Sequence, residues 1–109
     1  MHELAIAQSV VEAVCERAGD RRVHSVRVAV GELCAVVPDS MQFCFELVTA
    51  GTVAEGARLD IEIPAGCGRC RSCGAEFRLS DPILLCACGS ADVEVRSGRE
   101  LRIVSMEVS

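Results

Sequence analysis

Hydrophobic residues recur at three- and four-residue intervals near the start of the chain, from about His2 to Ala18. This spacing places them on one face of a helix, with charged residues elsewhere on its circumference. The Gly19-Asp20 pair predicts the end of this helix. The positions on the apolar face are Leu4, Ala7, Val11, Val14 and Ala18.

A two-residue alternation of apolar positions appears three times and predicts strands. Valines alternate with other residues from Val26 to about Glu32, as expected for a half-buried strand. The stretches Arg58 to Ile63 and Leu101 to Val108 alternate in the same way, and Pro64 ends the second of the three.

A second helix is predicted between the first two strands. Pro38 suits a first helical turn, and Asp39 adds negative charge near the N-terminus of the helix. Met41, Phe45 and Val48 then recur at helical spacing, which predicts a helix to about Thr49. Further apolar residues nearby are Phe43, Cys44 and Leu47.

These elements predict an α/β (α+β) fold, a small domain of about three strands and two helices that carries an insertion. From Ala65 to Gly98 the chain becomes rich in glycine, cysteine and arginine. We expect residues 1–64 and 99–109 to form the α/β domain and residues 65–98 to form a separate module. The module is too small and polar to build its own core, so a bound metal is expected to stabilise it.

Composition and charge narrow the class of protein. Only 3% of the residues are aromatic, so the core is expected to be aliphatic. A net charge of -5 argues against broad attraction to nucleic acid or anionic lipid. No apolar run approaches the ~20 residues of a membrane span, and the signal-peptide pattern is missing from the start of the sequence. We therefore expect a cytoplasmic protein.

Five of the eight cysteines fall between Cys67 and Cys88. Without a signal peptide, such clustering favours a metal site over a disulfide framework. Cys15, Cys34 and Cys44 lie in apolar surroundings and are expected to be buried small hydrophobic residues.

The clustered cysteines form two short pairs, Cys70 with Cys73 and Cys86 with Cys88, separated by twelve residues. Two facing knuckles with four thiolates suit tetrahedral Zn²⁺ and leave no open position for catalysis. Cys67 is an alternative ligand that would replace Cys70 or Cys73, but the usual two-knuckle geometry favours the compact set. The expected cofactor is structural Zn²⁺ in a zinc-ribbon-like module.

Two other classes of protein share parts of this pattern. A Cys-x-x-Cys spacing also occurs in dithiol redox proteins, where it normally opens a helix, unlike the Gly, Arg and Ser residues around Cys70. A zinc ribbon can instead bind nucleic acid or protein, and five arginines lie in or directly after the module: Arg69, Arg71, Arg78, Arg96 and Arg99. The acidic total charge, with Phe77 as the module's only aromatic residue, disfavours nucleic acid.

The chain begins Met1-His2-Glu3, a sequence with metal-binding potential. His is not a small residue, so Met1 is expected to be retained. Its amine, the His2 backbone nitrogen and the His2 Nδ1 can form fused chelate rings in one plane, which suits Ni²⁺ or Cu²⁺. The Glu3 backbone amide, a water or a partner's side chain would complete the site. The alternative is a solvated His2 beside an acidic first helical turn.

The other histidine, His24, is in phase with Val26 and Val28 and is expected to be partly buried and hydrogen-bonded rather than a ligand. With two histidines, no phosphate-binding loop and no nucleophile triad, the sequence offers no catalytic constellation. We do not expect an enzyme.

These features together resemble the hydrogenase maturation nickel metallochaperones of the HypA/HybF type. Members begin Met-His-Glu, carry a four-cysteine zinc module and end with a strand that rejoins the first domain. The resemblance covers essentially the whole chain, with one departure: Cys86-Ala-Cys88 stands where the family usually has Cys-Pro-x-Cys. Further matching segments, in the family's order, are Gly31-Glu32-Leu33, Phe43, Phe45-Glu46-Leu47, residues 51–57, Cys88-Gly89-Ser90, residues 98–101 and Glu107.

The resemblance implies a nickel site at His2 and the Met1 amine, with Ni²⁺ as transported cargo. It also implies a nickel-handling maturation GTPase and the large subunit of [NiFe]-hydrogenase as partners, with urease maturation proteins as further ones. No nucleic acid or membrane partner is expected, and a homodimer is an open alternative. The zinc ligands implied by the resemblance are Cys70, Cys73, Cys86 and Cys88.

Overall fold

The computed structural model describes residues 2–109, in which two helices and two three-stranded sheets form. This α+β architecture with a cysteine cluster confirms the predicted fold class. One sheet has the strand order β2-β1-β6 and the other β4-β3-β5. The elements are α1 Glu3–Ala18, β1 Val23–Val30, a 3₁₀ turn Glu32–Cys34, α2 Pro38–Thr49, β2 Arg58–Glu62, β3 Cys67–Cys70, β4 Glu76–Arg78, β5 Val93–Ser97 and β6 Leu101–Val108.

Helix α1 forms where the apolar spacing predicts it. His2 occupies the N-cap position, and Gly19 follows the last helical residue with φ 64°, a conformation that glycine adopts without strain. Leu4, predicted on the apolar face, is 47% exposed instead, because the buried stripe starts at Ile6. The buried residues of α1 are Ile6, Ala7, Val10, Val11, Val14 and Ala18.

Helix α2 packs against α1. Its buried positions are Met41, Phe45 and Thr49, at four-residue spacing. The Thr49 hydroxyl donates a hydrogen bond to the Phe45 carbonyl at 2.8 Å, which satisfies this buried polar group. Phe43 is 62% exposed and Leu47 56% exposed, so these two apolar residues of the predicted helix face solvent.

Strand β1 is the central strand of the first sheet. It begins at Val23 and ends at Val30, earlier than predicted at both ends, and only His24 and Arg27 are exposed along it. The prediction of a half-buried strand was therefore wrong. Side chains alternate between the two faces of a strand, and residues on both faces of β1 are buried, Val26 and Val28 on one and Ser25 and Ala29 on the other.

The two neighbours of β1 run in opposite directions. β2 pairs in parallel, with Val26 opposite Leu59. The Ser109 backbone N–H donates to the Arg22 carbonyl at 2.9 Å, which places the end of β6 beside the start of β1. β6 therefore runs antiparallel to β1.

The second sheet lies in the predicted module, where the sequence indicated no strands. β3 pairs antiparallel with both β4 and β5. The buried cluster behind this sheet consists of Cys70, Leu79, Cys86 and Val93, packed against partly buried apolar neighbours. This core has only four buried residues, and two of them are cysteines with small side chains. The apolar area that it buries is too small to stabilise the module alone.

Three glycines allow a close backbone approach beside this sheet. Gly31 has an ordinary φ of -60°, but a Cβ there would overlap the Gly98 carbonyl. A Cβ on Gly66 would likewise overlap the Leu79 carbonyl oxygen. The Leu33 N–H donates to the Gly98 carbonyl at 2.8 Å, so the approach is fixed by hydrogen bonding.

The chain divides into two compact units. One contains the chain up to Ala29 together with Val36–Glu62 and Arg102–Ser109, and the other contains Val30–Ala35 and Ile63–Leu101. None of the helices within residues 2–109 has the length and apolar character to cross a membrane.

Candidate metal centre

Four cysteine sulfurs come together in the second unit. The sulfurs of Cys70, Cys73, Cys86 and Cys88 all lie within 4.8 Å of one another. Cys70 and Cys88 are 3.7 Å apart and Cys73 and Cys86 are 3.6 Å apart. Zinc–sulfur bonds of about 2.3 Å in a tetrahedron require sulfur separations of about 3.8 Å, and a disulfide requires about 2.05 Å. The arrangement fits a four-thiolate metal site.

The first knuckle is a turn at the end of β3. Cys70 is the last residue of that strand, and its carbonyl accepts the Gly74 N–H at 2.8 Å. The Cys73 N–H points back to the Cys70 sulfur at 3.5 Å. Gly74 has φ 79°, which lets the chain reverse directly after the ligand pair.

The second knuckle has a similar construction. The Cys86 carbonyl accepts the Gly89 N–H, and the Cys86 N–H donates to the Ser90 carbonyl, both at 2.9 Å. Gly89 has φ 94°. The short Cys86-Ala-Cys88 spacing therefore still closes a tight turn and brings both sulfurs to the cluster.

Polar contacts connect the two knuckles. The hydroxyls of Ser72 and Ser90 are 2.8 Å apart. Arg71 donates to the Asp92 carboxylate at 2.9 Å, and its backbone N–H donates to the Asp92 carbonyl at the same distance. These contacts hold the two ligand pairs in register.

The thiols of the cluster differ in their affinity for protons. The Cys73 N–H and further hydrogen bonds lower the pKa of Cys70 to about 6. The Cys88 N–H acts in the same direction on Cys86, but burial and the three neighbouring cysteines outweigh it and raise the pKa of Cys86 to about 12. Four adjacent thiolates repel one another, so a cation is required to hold all four deprotonated.

Cys67 lies outside this group. It stands at the start of β3, opposite Arg78 in one neighbouring strand and Ser97 in the other. It precedes Cys70 by three positions, so the two side chains emerge on opposite faces of the strand. The structure thus does not bring Cys67 to the other four sulfurs.

The N-terminal site residues lie in the first unit. Met1 is outside the described residues. The His2 side chain is exposed, and the His2 carbonyl accepts the Ile6 N–H at 3.2 Å. The Glu3 carboxylate accepts the Val37 N–H at 3.0 Å, and this bond lowers the pKa of Glu3. The Glu3 side chain is thus already engaged by the start of α2.

An open cavity of about 510 Å³ lies beside these residues. It is lined by three polar residues that the sequence did not connect with His2: Asp39, Ser40 and Cys44. All three lie more than 35 residues away along the chain, so no local spacing could indicate them. The residues around the cavity are His2, Glu3, Leu4, Asp39, Ser40, Phe43 and Cys44.

The remaining candidates are placed differently from the prediction. His24 is exposed rather than partly buried, and its Nε2 is hydrogen-bonded to the Ser109 hydroxyl. Cys15, Cys34 and Cys44 are half-buried rather than buried.

Comparisons with known proteins match essentially the whole chain to one family. A protein-family model described as "Hydrogenase/urease nickel incorporation, metallochaperone, hypA" matches residues 1–108. A hydrogenase maturation factor HypA from Geotalea uraniireducens is 51% identical over 109 residues, covering 99% of each chain. The HypA from Nostoc punctiforme is 46% identical over 109 residues, covering 99% of this chain and 96% of the relative.

A solved structure shows the same fold. The solution structure of the Ni metallochaperone HypA from Helicobacter pylori matches with a TM-score of 0.68 at 25% identity, covering 99% of this chain and 97% of that one. The family description and the names of these relatives denote a metallochaperone rather than an enzyme. The chain belongs to the HypA family of nickel metallochaperones for hydrogenase and urease maturation.

Proposed function

We propose that this chain binds Ni²⁺ as cargo through the Met1 amine, the backbone nitrogen and Nδ1 of His2, and the Glu3 backbone nitrogen. The nickel is then passed on during [NiFe]-hydrogenase maturation, with urease maturation as a second destination. The observation that carries the proposal is the position of His2 at the start of α1. The first N–H groups of a helix have no acceptor in the helix backbone, so the amide nitrogens of His2 and Glu3 can each release a proton to solvent and bind Ni²⁺ without breaking a helical hydrogen bond.

The contacts of the neighbouring groups support this ligand set. The His2 carbonyl is used by the helix, whereas the His2 ring is exposed beside the open cavity. The Glu3 carboxylate is bound to the Val37 N–H, so Glu3 takes part through its backbone nitrogen and not its side chain. Four nitrogens in one plane suit Ni²⁺, whereas Zn²⁺ prefers a tetrahedral site.

The cysteine cluster supplies a second metal site of opposite character. In our proposal Cys70, Cys73, Cys86 and Cys88 hold structural Zn²⁺, which joins the two knuckles and stabilises the module formed by residues 65–98. The domain formed by residues 1–64 and 99–109 handles nickel. A closed four-thiolate site retains its metal, while an exposed site of few ligands can surrender its metal by stepwise exchange.

The charges on the module support protein partners over nucleic acid. Three of its arginines, Arg71, Arg78 and Arg96, form ion pairs with carboxylates. This pairing reduces the basic character that a nucleic-acid surface needs. The partners we propose are a nickel-handling maturation GTPase and the hydrogenase large subunit, all acting in the cytoplasm.

The test is a calorimetric titration of Ni²⁺ into tag-free, zinc-loaded protein. A matched protein with one residue added before Met1 serves as the comparison, because the extension converts the terminal amine into an amide. We expect tight stoichiometric binding to the native N-terminus only. Equal binding by both proteins would move nickel away from Met1 and His2, and no binding by either would refute the nickel function.

A further inference from the structure

A groove runs along the open edge of the first sheet. β6 is an outer strand, and within residues 2–109 no strand pairs with its far side. A cavity of about 610 Å³ separates this strand from α1. The residues around the groove are Ala13, Val14, Arg17, Ala18, Arg21, Ile103, Val104, Ser105, Met106 and Val108.

The groove reaches the backbone of β6. Side chains alternate between the two faces of a strand, so a cavity confined to one face would touch every second residue. This groove touches four consecutive residues, Ile103 to Met106, and therefore extends to the strand edge itself. Unpaired N–H and C=O groups at such an edge are a template for an additional strand.

The edge of β6 carries its only charged residues, Arg102 and Glu107, near its two ends, and its centre is unprotected. Edges are usually kept short or carry charges and prolines. β6 is eight residues long, and its central four residues are uncharged and contain no proline. By contrast, the opposite outer strand β2 has five residues, three of them charged, and its Leu59 carbonyl accepts a hydrogen bond from Gln42.

The charge in the groove defines the chemistry of an occupant. Arg17 and Arg21 line it, and none of the residues that line it within 2–109 is acidic, although the chain as a whole carries a net charge of -5. Arg17 forms no ion pair in the described part of the chain. Arg21 uses its Nε for the Ser109 carbonyl at 2.7 Å, which leaves its other N–H groups available.

The floor of the groove has room for side chains. The apolar part of the α1 wall is formed by the exposed Ala13 and by the buried Val14 and Ala18 behind it, none of which projects a long side chain into the groove. A strand added to β6 would direct every second side chain onto this apolar wall, while an acidic side chain near its end would reach the arginines.

We propose that β6 is a docking edge for an extended, acidic segment of a partner protein, which adds as a fourth strand to this sheet. Apolar side chains of the segment pack against α1, and its carboxylates pair with Arg17 and Arg21. This surface does not use the nickel ligands or the cysteine cluster, so the inference is independent of the proposed metal sites.

The test uses two synthetic octapeptides and isotope-labelled, zinc-loaded protein. In the acidic peptide valine alternates with glutamate and threonine, and in the basic peptide lysine replaces each glutamate. We expect amide shift changes confined to β6 and the stretch from Ala13 to Arg21. The acidic peptide should bind about tenfold more tightly than the basic one, as expected for two interfacial charge pairs.

Three variants distinguish binding in the groove from non-specific electrostatic attraction to the protein surface. Arg17→Glu should abolish the preference for the acidic peptide, and Ala13→Trp should block both peptides by filling the groove. Arg69→Glu, at an exposed arginine of the other unit, is the matched control and should leave binding unchanged. Zinc content and thermal unfolding of each variant establish that the fold is intact.

The proposal fails if neither peptide binds, if binding shows no charge preference, or if the shift changes lie elsewhere. It also fails if sedimentation shows a dimer that Ala13→Trp dissociates, because the groove would then be filled by a second copy of this chain.

Discussion

The Glu3 carboxylate accepts a hydrogen bond from the Val37 backbone N–H, with 3.0 Å between oxygen and nitrogen. Val37 precedes the first residue of α2 and has no polar side chain to cap that helix. The first residue of α1 therefore supplies a negative charge and an acceptor at the N-terminus of α2. Residues from two separate helices are fixed together next to His2.

Replacing Glu3 with glutamine should lower stability at neutral pH, because the side chain loses its charge at the helix N-terminus. The hydrogen bond to Val37 lowers the pKa of Glu3 below its usual 4.5. The stabilisation by the carboxylate is therefore present above pH 4.5 and lost as the pH falls through the folded-state pKa. Urea unfolding of nickel-free protein from pH 7 to pH 3 should show the two proteins converging. A constant difference would contradict this role.

Replacing His2 with alanine should remove tight nickel binding and leave zinc and the fold unchanged. The His2 ring is exposed and makes no contribution to the buried core. Calorimetry with Ni²⁺, zinc analysis and circular dichroism of the variant test this. Loss of zinc in the variant would show that the two sites are not separate.

Nickel binding to the normal protein should weaken as pH falls, since protons compete for the imidazole and the amine.

Replacing Cys86 with serine should abolish tight zinc binding and cooperative unfolding of the module. Its sulfur lies 3.6 Å from that of Cys73 inside the buried cluster. Cys67→Ser is the matched control and should keep one equivalent of zinc, because Cys67 emerges on the other face of β3. Co²⁺ substitution provides the readout, since tetrahedral four-thiolate coordination has strong visible absorption. A changed Co²⁺ spectrum in Cys67→Ser would assign Cys67 to the site.

Replacing Gly31 with alanine should destabilise the second unit by about 3 kcal/mol, since the added methyl group would overlap the Gly98 backbone. Gly51→Ala is the comparison, because Gly51 has open space around it but φ 79°. That variant should lose about 1–2 kcal/mol from backbone strain alone. The denaturant midpoints of both variants, compared with that of the normal protein, measure the two losses of stability. A smaller loss at Gly31 than at Gly51 would mean that the contact relaxes easily.

The sequence predicted the elements that have a long periodic signal. α1 and α2 were found because Ala7, Val11 and Val14, and then Met41 and Phe45, repeat at helical spacing within helices of 16 and 12 residues. The prediction of which residues lie on the buried face of each helix was less accurate. Leu4 fits the periodicity but is exposed, since the period alone does not show where a neighbouring element ends. Phe43, which lies outside the Met41, Phe45 and Val48 repeat, is exposed as well.

The second sheet could not be predicted in the same way. Its strands have three to five residues, and β3 consists of Cys67, Gly68, Arg69 and Cys70, with no alternation of apolar side chains. The cysteine spacing nevertheless indicated the four sulfurs that meet. The cavity shared by His2 and Asp39 depends on how α1 and α2 pack, which no local pattern contains.

The position of β6 after the module has a consequence for biosynthesis. β1 lies between β2 and β6, but in the sequence β6 follows the module that contains all four clustered cysteines. A chain growing on the ribosome therefore makes β1 and β2 early and leaves one side of β1 without a neighbour until the module has been synthesised. During that interval Val26 and Val28 are adjacent to an unpaired edge, a risk for aggregation. Rapid capture of zinc by the emerging module would shorten this exposure.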